Sequence, residues 1–151
     1  MNHCPMNFKP LYYKRYVDDT FTIFEDNSSA MNFLNFINSQ HPNIKFTIEV
    51  EKNKRLSFLD VLINKDNPLK FTVFRKKTYT GLSINFFSHC PILYKVNAIK
   101  TLLNRSFKIC TDYNLLHLEI EFLMKMFSDN NYPKSLLHSV IRKFLNEKLS
   151  R

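Results

Sequence analysis

The pattern of apolar and polar positions changes character near residue 90 of this 151-residue chain. Before that point, short β-branched or aromatic runs alternate with polar turns, which is typical of strands. After it, three stretches repeat their apolar residues at the spacing of amphipathic helices. We therefore predict an α+β fold in two parts: residues 1–90, with an antiparallel β-hairpin, a helix and further strands, and residues 91–151, a three-helix bundle.

The N-terminal part is expected to begin with a tight hairpin. Two strand-like runs, Leu11–Val17 and Thr20–Phe24, are separated only by Asp18 and Asp19. Aspartate is a favoured turn residue, and a two-residue loop is the commonest hairpin connection. The pattern thus places two carboxylates side by side at the tip of a β-turn.

A helix and further strands are predicted to follow the hairpin. Ser28 or Ser29 can cap a helix that ends at His41-Pro42, because the residue before a proline disfavours the helical conformation. Ile44, Phe46, Ile48 and Val50 alternate with polar residues, as in a half-buried strand. Two more strands are predicted at Leu56–Ile63 and Lys70–Phe74, with a turn at Asp66-Asn67-Pro68 between them.

Three helices are expected in the C-terminal part. Pro91 opens the first, Thr111 or Asp112 caps the second, and Asn131 with Pro133 starts the third. Their apolar stripes predict the core of the bundle: Leu93, Val96, Ile99, Leu103, Phe107 and Cys110, then Leu115, Leu118, Phe122, Leu123 and Met126, then Leu137, Val140, Ile141, Phe144 and Leu145.

Composition narrows the class of protein. A hydrophobic content of 44% with 15% aromatics is not that of a disordered chain. The single glycine excludes the glycine-rich phosphate loops of nucleotide-binding proteins. Three cysteines (Cys4, Cys90 and Cys110) form no C-x-x-C pair, so neither a disulfide framework nor a cysteine zinc site is indicated. With no apolar signal segment and no spanning stretch, we expect an intracellular protein that is neither secreted nor membrane-bound.

The net charge of +9 favours a polyanionic partner, because lysine and arginine that neutralise phosphates release counterions and gain affinity. A basic protein without such a partner is the alternative. The candidate chemistry is at Tyr16-Val17-Asp18-Asp19. Paired carboxylates on a rigid turn suit Mg²⁺, a hard cation that prefers oxygen ligands, although an Asp-Asp turn without a metal has the same sequence.

Several segments in this order resemble the reverse transcriptases of Penelope-like retroelements. The resemblance covers about residues 12–145 and is carried by Tyr16-Val17-Asp18-Asp19 with Thr20-Phe21, Phe46–Glu51, Leu56–Val61, Arg75–Thr80 (with Lys77 where the family has proline), Ser88–Pro91, Lys95 and Leu102–Arg105. It implies the back of a polymerase palm in residues 1–90 and a thumb in residues 91–151. The protein would then be an RNA-directed DNA polymerase of a retrotransposon, a nuclear nucleotidyltransferase with an RNA template and a DNA primer.

The resemblance also implies the site residues. Asp18 and Asp19 would hold Mg²⁺, and Tyr16 would lie beside the primer end. The 15 residues before Tyr16 contain no Asp or Glu, so the third carboxylate of the two-metal site is missing. We therefore expect no activity from this chain alone, whether it is a fragment, a decayed copy or a partner that completes a site in trans. Only six residues follow Leu145, which leaves no room for the endonuclease of many family members.

Basic side chains are the candidates for contacts with nucleic acid, with ordinary solvent-exposed charges as the alternative. The candidates are Lys54, Arg55, Arg75, Lys76, Lys77, His89, Lys95 and Arg105. A second hypothesis needs no catalysis: residues 92–149 could bind duplex nucleic acid as a helix-turn-helix-like bundle. A third is a non-functional remnant of an element, whose open strand edges would favour aggregation.

Overall fold

A computed structural model describes residues 9–150 of the chain. This part contains five strands and four helices: β1 (Tyr12–Tyr16), β2 (Asp19–Ile23), α1 (Asn27–Ser39), β3 (Arg55–Phe58), β4 (Val61–Asn64), β5 (Lys70–Val73), α2 (Ile92–Ile109), α3 (Tyr113–Asp129) and α4 (Lys134–Leu149). The predicted α+β class is confirmed. Two small antiparallel sheets and four helices do not, however, define a polymerase palm. The chain divides into two compact units, Met1–Lys52 and Asn53–Arg151.

The hairpin of the first unit is confirmed, with its loop one residue earlier than predicted. Strands β1 and β2 pair antiparallel, and Tyr16 lies opposite Asp19. The two-residue loop is therefore Val17-Asp18. Val17 adopts the left-handed conformation (φ 53°), and its carbonyl accepts a hydrogen bond of 2.7 Å from Nε of Arg15. Asp19 is the first residue of β2.

Helix α1 begins two or three residues earlier than predicted from Ser28 or Ser29 as the cap. Its N-cap is Asp26, whose Oδ1 accepts a hydrogen bond of 2.8 Å from the backbone N–H of Ser29. This bond stabilises the charged carboxylate and lowers the pKa of Asp26. Ala30 and Phe33 are the buried residues of the helix, and Phe33 packs against the rings of Phe24 and Tyr13.

The predicted strand at residues 44–50 is wrong, because this segment is not a strand in the structure. The backbone of Phe46 is instead bound by a side chain. Its N–H donates to Oδ1 of Asn38 (2.7 Å), and its carbonyl accepts from Nδ2 of the same residue (3.0 Å). Alternation of apolar residues fits a strand, but a strand also needs a neighbouring backbone, and here an asparagine side chain takes that place.

The sheet of the second unit has the order β3-β4-β5, with both pairs antiparallel. The prediction of one strand over Leu56–Ile63 is wrong, because the chain reverses at Leu59-Asp60. Leu59 adopts φ 52° there, and Phe58 pairs with Val61. Leucine is not a typical residue for this conformation, so the pattern of apolar residues predicted a continuous strand. The turn predicted at Asp66-Asn67-Pro68 does connect β4 and β5.

The three predicted helices of the bundle are confirmed. Pro91 is the N-cap of α2, Asp112 caps α3 through the N–H of Leu115 (2.8 Å), and Pro133 is the N-cap of α4. The core is continuous, and its buried apolar residues are Ile99, Leu103, Leu116, Ile120, Leu123, Met126, Phe127, Tyr132, Leu137, Val140, Ile141 and Phe144. Three predicted core positions are instead exposed: Leu93 at 63%, Leu118 at 60% and Phe122 at 40%.

The buried residue Glu119 explains why the inward face of α3 differs from the predicted one. Its carboxylate binds the guanidinium of Arg75 in a bidentate pair, with Nη1 of Arg75 2.9 Å from Oε2. The guanidinium also lies 4.0 Å from the ring centroid of Phe122. Burial lowers the pKa of Arg75, but the hydrogen bond to Glu119 and its negative charge, together with the interaction with Tyr79, outweigh burial and the pKa is raised. The pair thus ties the segment after β5 to helix α3.

We expect Glu119→Ala to reduce the free energy of unfolding by roughly 3 kcal/mol, because the substitution leaves the guanidinium of Arg75 half-buried without its counterion. The matched control is Glu121→Ala on the same helix. Its carboxylate is exposed and lies 3.4 Å from His117, so the change should stay within about 0.5 kcal/mol. Urea denaturation followed by circular dichroism measures both. Equal losses in the two variants would contradict the structural role of the pair.

Candidate nucleic-acid interface

The residues predicted to be catalytic lie at the tip of the first hairpin. Tyr16, Asp18 and Asp19 are all exposed. Within residues 9–150, no group of three or more His, Cys, Asp or Glu side chains is placed to hold a metal ion. Magnesium binding by the two aspartates therefore stays a prediction, and so does the role of Tyr16.

The predicted nucleic-acid contacts fall into two groups. Lys54, Arg55, Lys76, Lys77 and His89 are exposed, and their role stays a prediction. The other three, Arg75, Lys95 and Arg105, contact other groups of the protein.

Three of the predicted cations already have protein partners. Arg75 is paired with Glu119. The Lys95 side chain is buried, donates to the carbonyl of Ser88 (2.8 Å) and lies over the ring of Phe86. Nη2 of Arg105 is 3.0 Å from Oδ1 of Asp60. Any contact of these residues with a phosphate would have to compete with, or add to, these interactions.

A short turn joins α3 to α4 and sets the direction of the last helix. Asn131 adopts the left-handed conformation (φ 67°), which asparagine tolerates better than most residues. The N–H groups of Asn131 and Tyr132 donate to the carbonyls of Ser128 and Phe127, both at 3.0 Å. Pro133 then starts α4. Two helices joined by a turn of this length are typical of helix-turn-helix motifs.

The buried side chain of Asn130 fixes this turn to the segment that precedes α2. Its Nδ2 donates to the carbonyls of Gly81 and Met126, both at 2.8 Å. Its Oδ1 accepts from the N–H of Ser83 at 3.0 Å, and its carbonyl accepts from the N–H of Phe86. The amide therefore has a partner for its acceptor and for both donors.

Aromatic packing reinforces the same junction. The ring of Tyr132, 3% exposed, lies 4.9 Å from the centroid of Phe127 and 5.4 Å from that of Phe86. Phe86 belongs to the segment before α2, while Tyr132 lies in the turn. The entry of α4 is therefore held by hydrogen bonds and by ring contacts together.

Helix α4 presents a polar face on the side opposite its buried residues. These side chains recur three or four residues apart and line one open depression: Ser135, His138, Ser139, Arg142, Lys143, Asn146 and Glu147. All are exposed. Within the described part of the chain, Arg142 and Lys143 have no ion-pair partner. Our sequence-based candidates did not include this face, although it is the complement of the correctly predicted core positions of the helix.

Charge is segregated among the helices of the bundle. Helix α2 carries four basic residues and no acidic one, and α4 carries four basic residues and Glu147. Helix α3 carries three acidic residues and one lysine. The basic residues of α2 and α4 are Lys95, Lys100, Arg105 and Lys108, and Lys134, Arg142, Lys143 and Lys148. A polyanion is therefore attracted to α2 and α4 more than to α3.

Comparison with known families identifies one match. Residues 82–142 match the animal helix-turn-helix domain. The matched segment begins just before the Asn130 contacts at Ser83 and Phe86 and includes α2, α3 and most of α4. No curated protein and no solved structure matches the chain.

The resemblance to reverse transcriptases of Penelope-like retroelements is wrong. The family model that matches is that of the animal helix-turn-helix domain, over residues 82–142 alone, and no reverse-transcriptase family matches. The inferred palm and thumb, the polymerase activity and the nuclear location lose the resemblance on which they rested. A Y-x-D-D sequence on a hairpin is short enough to occur without a polymerase around it, and Asp-Asp is a favoured turn sequence in any protein. The alternative hypothesis of a helix-turn-helix module is supported instead.

One expectation concerned membranes. None of the helices in residues 9–150 combines the length and the apolar character needed to cross a bilayer.

We expect Asn130→Ala to destabilise the protein by about 2–3 kcal/mol, because it removes three hydrogen bonds and leaves partly buried backbone groups of Gly81 and Ser83 without these partners. Asn131→Gly is the matched control at the neighbouring position. Glycine adopts the left-handed conformation readily, so the free energy of unfolding should change by only a few tenths of a kcal/mol. Thermal and urea unfolding measure both. A neutral Asn130→Ala would show that the side-chain amide does not hold the turn.

Proposed function

We propose that residues 82–149 form a helix-turn-helix module that binds duplex DNA, with α4 as the helix that enters the major groove. The observation that carries the proposal is the exposed polar and basic face of α4, placed directly after the short α3–α4 turn. The similarity of residues 82–142 to the animal helix-turn-helix domain supports the same conclusion. In such motifs the second helix of the pair lies in the groove.

The dimensions of α4 suit a duplex of B-form DNA. A helix with its side chains is roughly 10–12 Å across, and the major groove of B-DNA is about 12 Å wide. The major groove of A-form RNA is deep and narrow, so an α-helix does not enter it easily. Duplex DNA is therefore favoured over duplex RNA as the partner.

The side chains of the α4 face can make two kinds of contact. Arginine reads guanine and asparagine reads adenine through paired hydrogen bonds, and serine can bond to either base. Arg142, Asn146, Ser135 and Ser139 are thus candidates for contacts with base edges. Lys143 is a candidate for a phosphate contact, which adds affinity without sequence information.

We expect Arg142→Ala to weaken binding of the full chain to a labelled DNA duplex by about tenfold, because it removes a charge-assisted contact in the groove. Lys143→Ala should weaken binding to all duplex sequences alike and reduce the slope of log K against log salt by about one. The measurement is fluorescence anisotropy at several salt concentrations.

Lys125→Ala is the matched control, since it removes the same charge from the exposed side of the acidic helix α3. It should leave affinity and salt slope nearly unchanged. Equal losses in Lys125→Ala and Arg142→Ala would show that net charge alone drives binding and that α4 has no special role.

Duplex RNA of the same sequence provides a further test of the groove geometry. We expect it to compete for the protein much less effectively than duplex DNA, because α4 cannot reach the base edges of an A-form helix. A competition titration with unlabelled duplexes measures the ratio. Equal competition by the two duplexes would contradict insertion of α4 and would leave backbone contact as the mode of binding.

A further inference from the structure

A second feature of the Asn53–Arg151 unit is a pocket between the β3-β4-β5 sheet and helices α2 and α3. Its volume is about 330 Å³, at the small end of the range for ligand pockets and equal to the liquid volume of about ten water molecules. It is separate from the α4 face, because the two sets of lining residues have no member in common. We name it the sheet–helix pocket.

Charged side chains from four parts of the sequence meet in this pocket. Arg75, Lys76 and Arg105 supply three positive charges, and Asp60 and Glu119 supply two negative charges. Glu119 is bound to Arg75 on both of its oxygens, so this pair is neutral and held in place. The net charge of the pocket is therefore set by Arg105, Lys76 and Asp60, and this net charge is positive.

Arg105 is incompletely satisfied by the protein. Its Nη2 lies 3.0 Å from Oδ1 of Asp60. Its Nε is buried and has no hydrogen-bond partner within the described part of the chain. Buried donors in native structures are nearly always paired, so the protein does not fully satisfy the guanidinium of Arg105. Guanidinium has a planar fork of donors that matches the oxygens of a phosphate.

Asp60, the ion-pair partner of Arg105, is exposed enough for a ligand to displace it. The side chain of Asp60 is 65% exposed, whereas that of Arg105 is 33% exposed. Asp60 lies in the two-residue turn between β3 and β4, a part of the sheet that is open to solvent. Ion pairs with an exposed member contribute little to stability. A phosphate group, with up to two negative charges and three acceptor oxygens, can compete with one carboxylate.

We propose that the sheet–helix pocket binds a phosphate group, held by Arg105 and Lys76 with the hydroxyl of Thr78 as a further donor, and that Asp60 is the internal competitor for this site. Lys76 is exposed and has no ion-pair partner among residues 9–150, and Thr78 lines the same pocket. The phosphate group can belong to a small phosphate compound or to the backbone of a nucleic acid. The proposal does not depend on the groove contacts of α4.

The first experiment titrates the full chain with inorganic phosphate in a phosphate-free buffer, followed by calorimetry or by amide chemical shifts. Asp60→Asn should strengthen phosphate binding by about two- to fivefold, because it removes the competing charge and keeps a turn-forming side chain. Asp66→Asn is the matched control. It removes the same charge from the exposed β4–β5 turn of the same sheet and should leave the affinity for phosphate unchanged.

Arg105→Gln should weaken phosphate binding at least about tenfold, because charge-assisted hydrogen bonds to the ligand are lost. If circular dichroism shows that this variant is unfolded, the exposed Lys76→Gln replaces it, with the same direction of change. Lys125→Gln on α3 controls for the loss of one positive charge and should bind phosphate like the wild type.

The same variants titrated with a DNA duplex separate the two sources of the phosphate group. If Asp60→Asn strengthens the binding of both phosphate and duplex, the site takes a backbone phosphate. If it strengthens only the binding of phosphate, the site takes a small phosphate compound. The proposal is overturned if wild-type protein binds no phosphate, if Asp60→Asn and Asp66→Asn behave alike, or if neither Arg105→Gln nor Lys76→Gln weakens phosphate binding. None of these readouts with inorganic phosphate depends on Arg142, so failure of the α4 proposal is detected separately.

Discussion

The buried amide of Asn130 is the constraint on which the geometry of the bundle depends. A buried polar group is stable only when its donors and acceptors are paired, and this amide finds its partners in two places, the end of α3 and the segment at Gly81 and Ser83. These hydrogen bonds therefore fix the position of the α3–α4 turn relative to the segment that precedes α2. Because Pro133 begins α4 three residues later, the direction of α4 and the side to which its polar face points follow from the same bonds.

The sheet of the second unit is attached to the bundle by a different kind of contact. Arg75 follows β5 and crosses to Glu119 on α3, and its guanidinium packs on Phe122. Thr111, at the end of α2, adds bonds to Phe71 in β5 through its hydroxyl and its N–H. The sheet therefore contacts the bundle through α2 and α3 and leaves the polar face of α4 exposed. The surface of the bundle that contacts the sheet is thus separate from the polar face of α4, which remains accessible to a partner.

The helices could be predicted from the sequence because their signals are local. Pro91, Asp112 and Pro133 each mark a helix start, and the apolar stripe of α4 gave its core positions correctly. The errors lie where a long-range partner decides. Leu118 and Phe122 are apolar but exposed, while Glu119 is buried because Arg75, 44 residues away in sequence, neutralises it.

The errors in the strands also have physical causes that the local sequence does not show. Residues 44–50 alternate like a strand, yet the side chain of Asn38 binds the backbone there. Leu59 turns the chain without glycine or asparagine. For the site, the sequence prediction rested on a short acidic motif on the first hairpin, and it did not include the polar residues between the core positions of α4. A four-residue motif has little information, while a polar stripe over the whole helix has more.

The uneven distribution of charge among the three helices has a kinetic consequence. With cations on α2 and α4 and a net negative charge on α3, the bundle carries an electric dipole moment in addition to its net charge. In the field of a polyanion, a dipole experiences a torque, so the molecule rotates as it approaches and the acidic helix turns away. Fewer encounters with a polyanion then occur at the acidic helix α3. The association rate would therefore be higher than the net charge alone would produce.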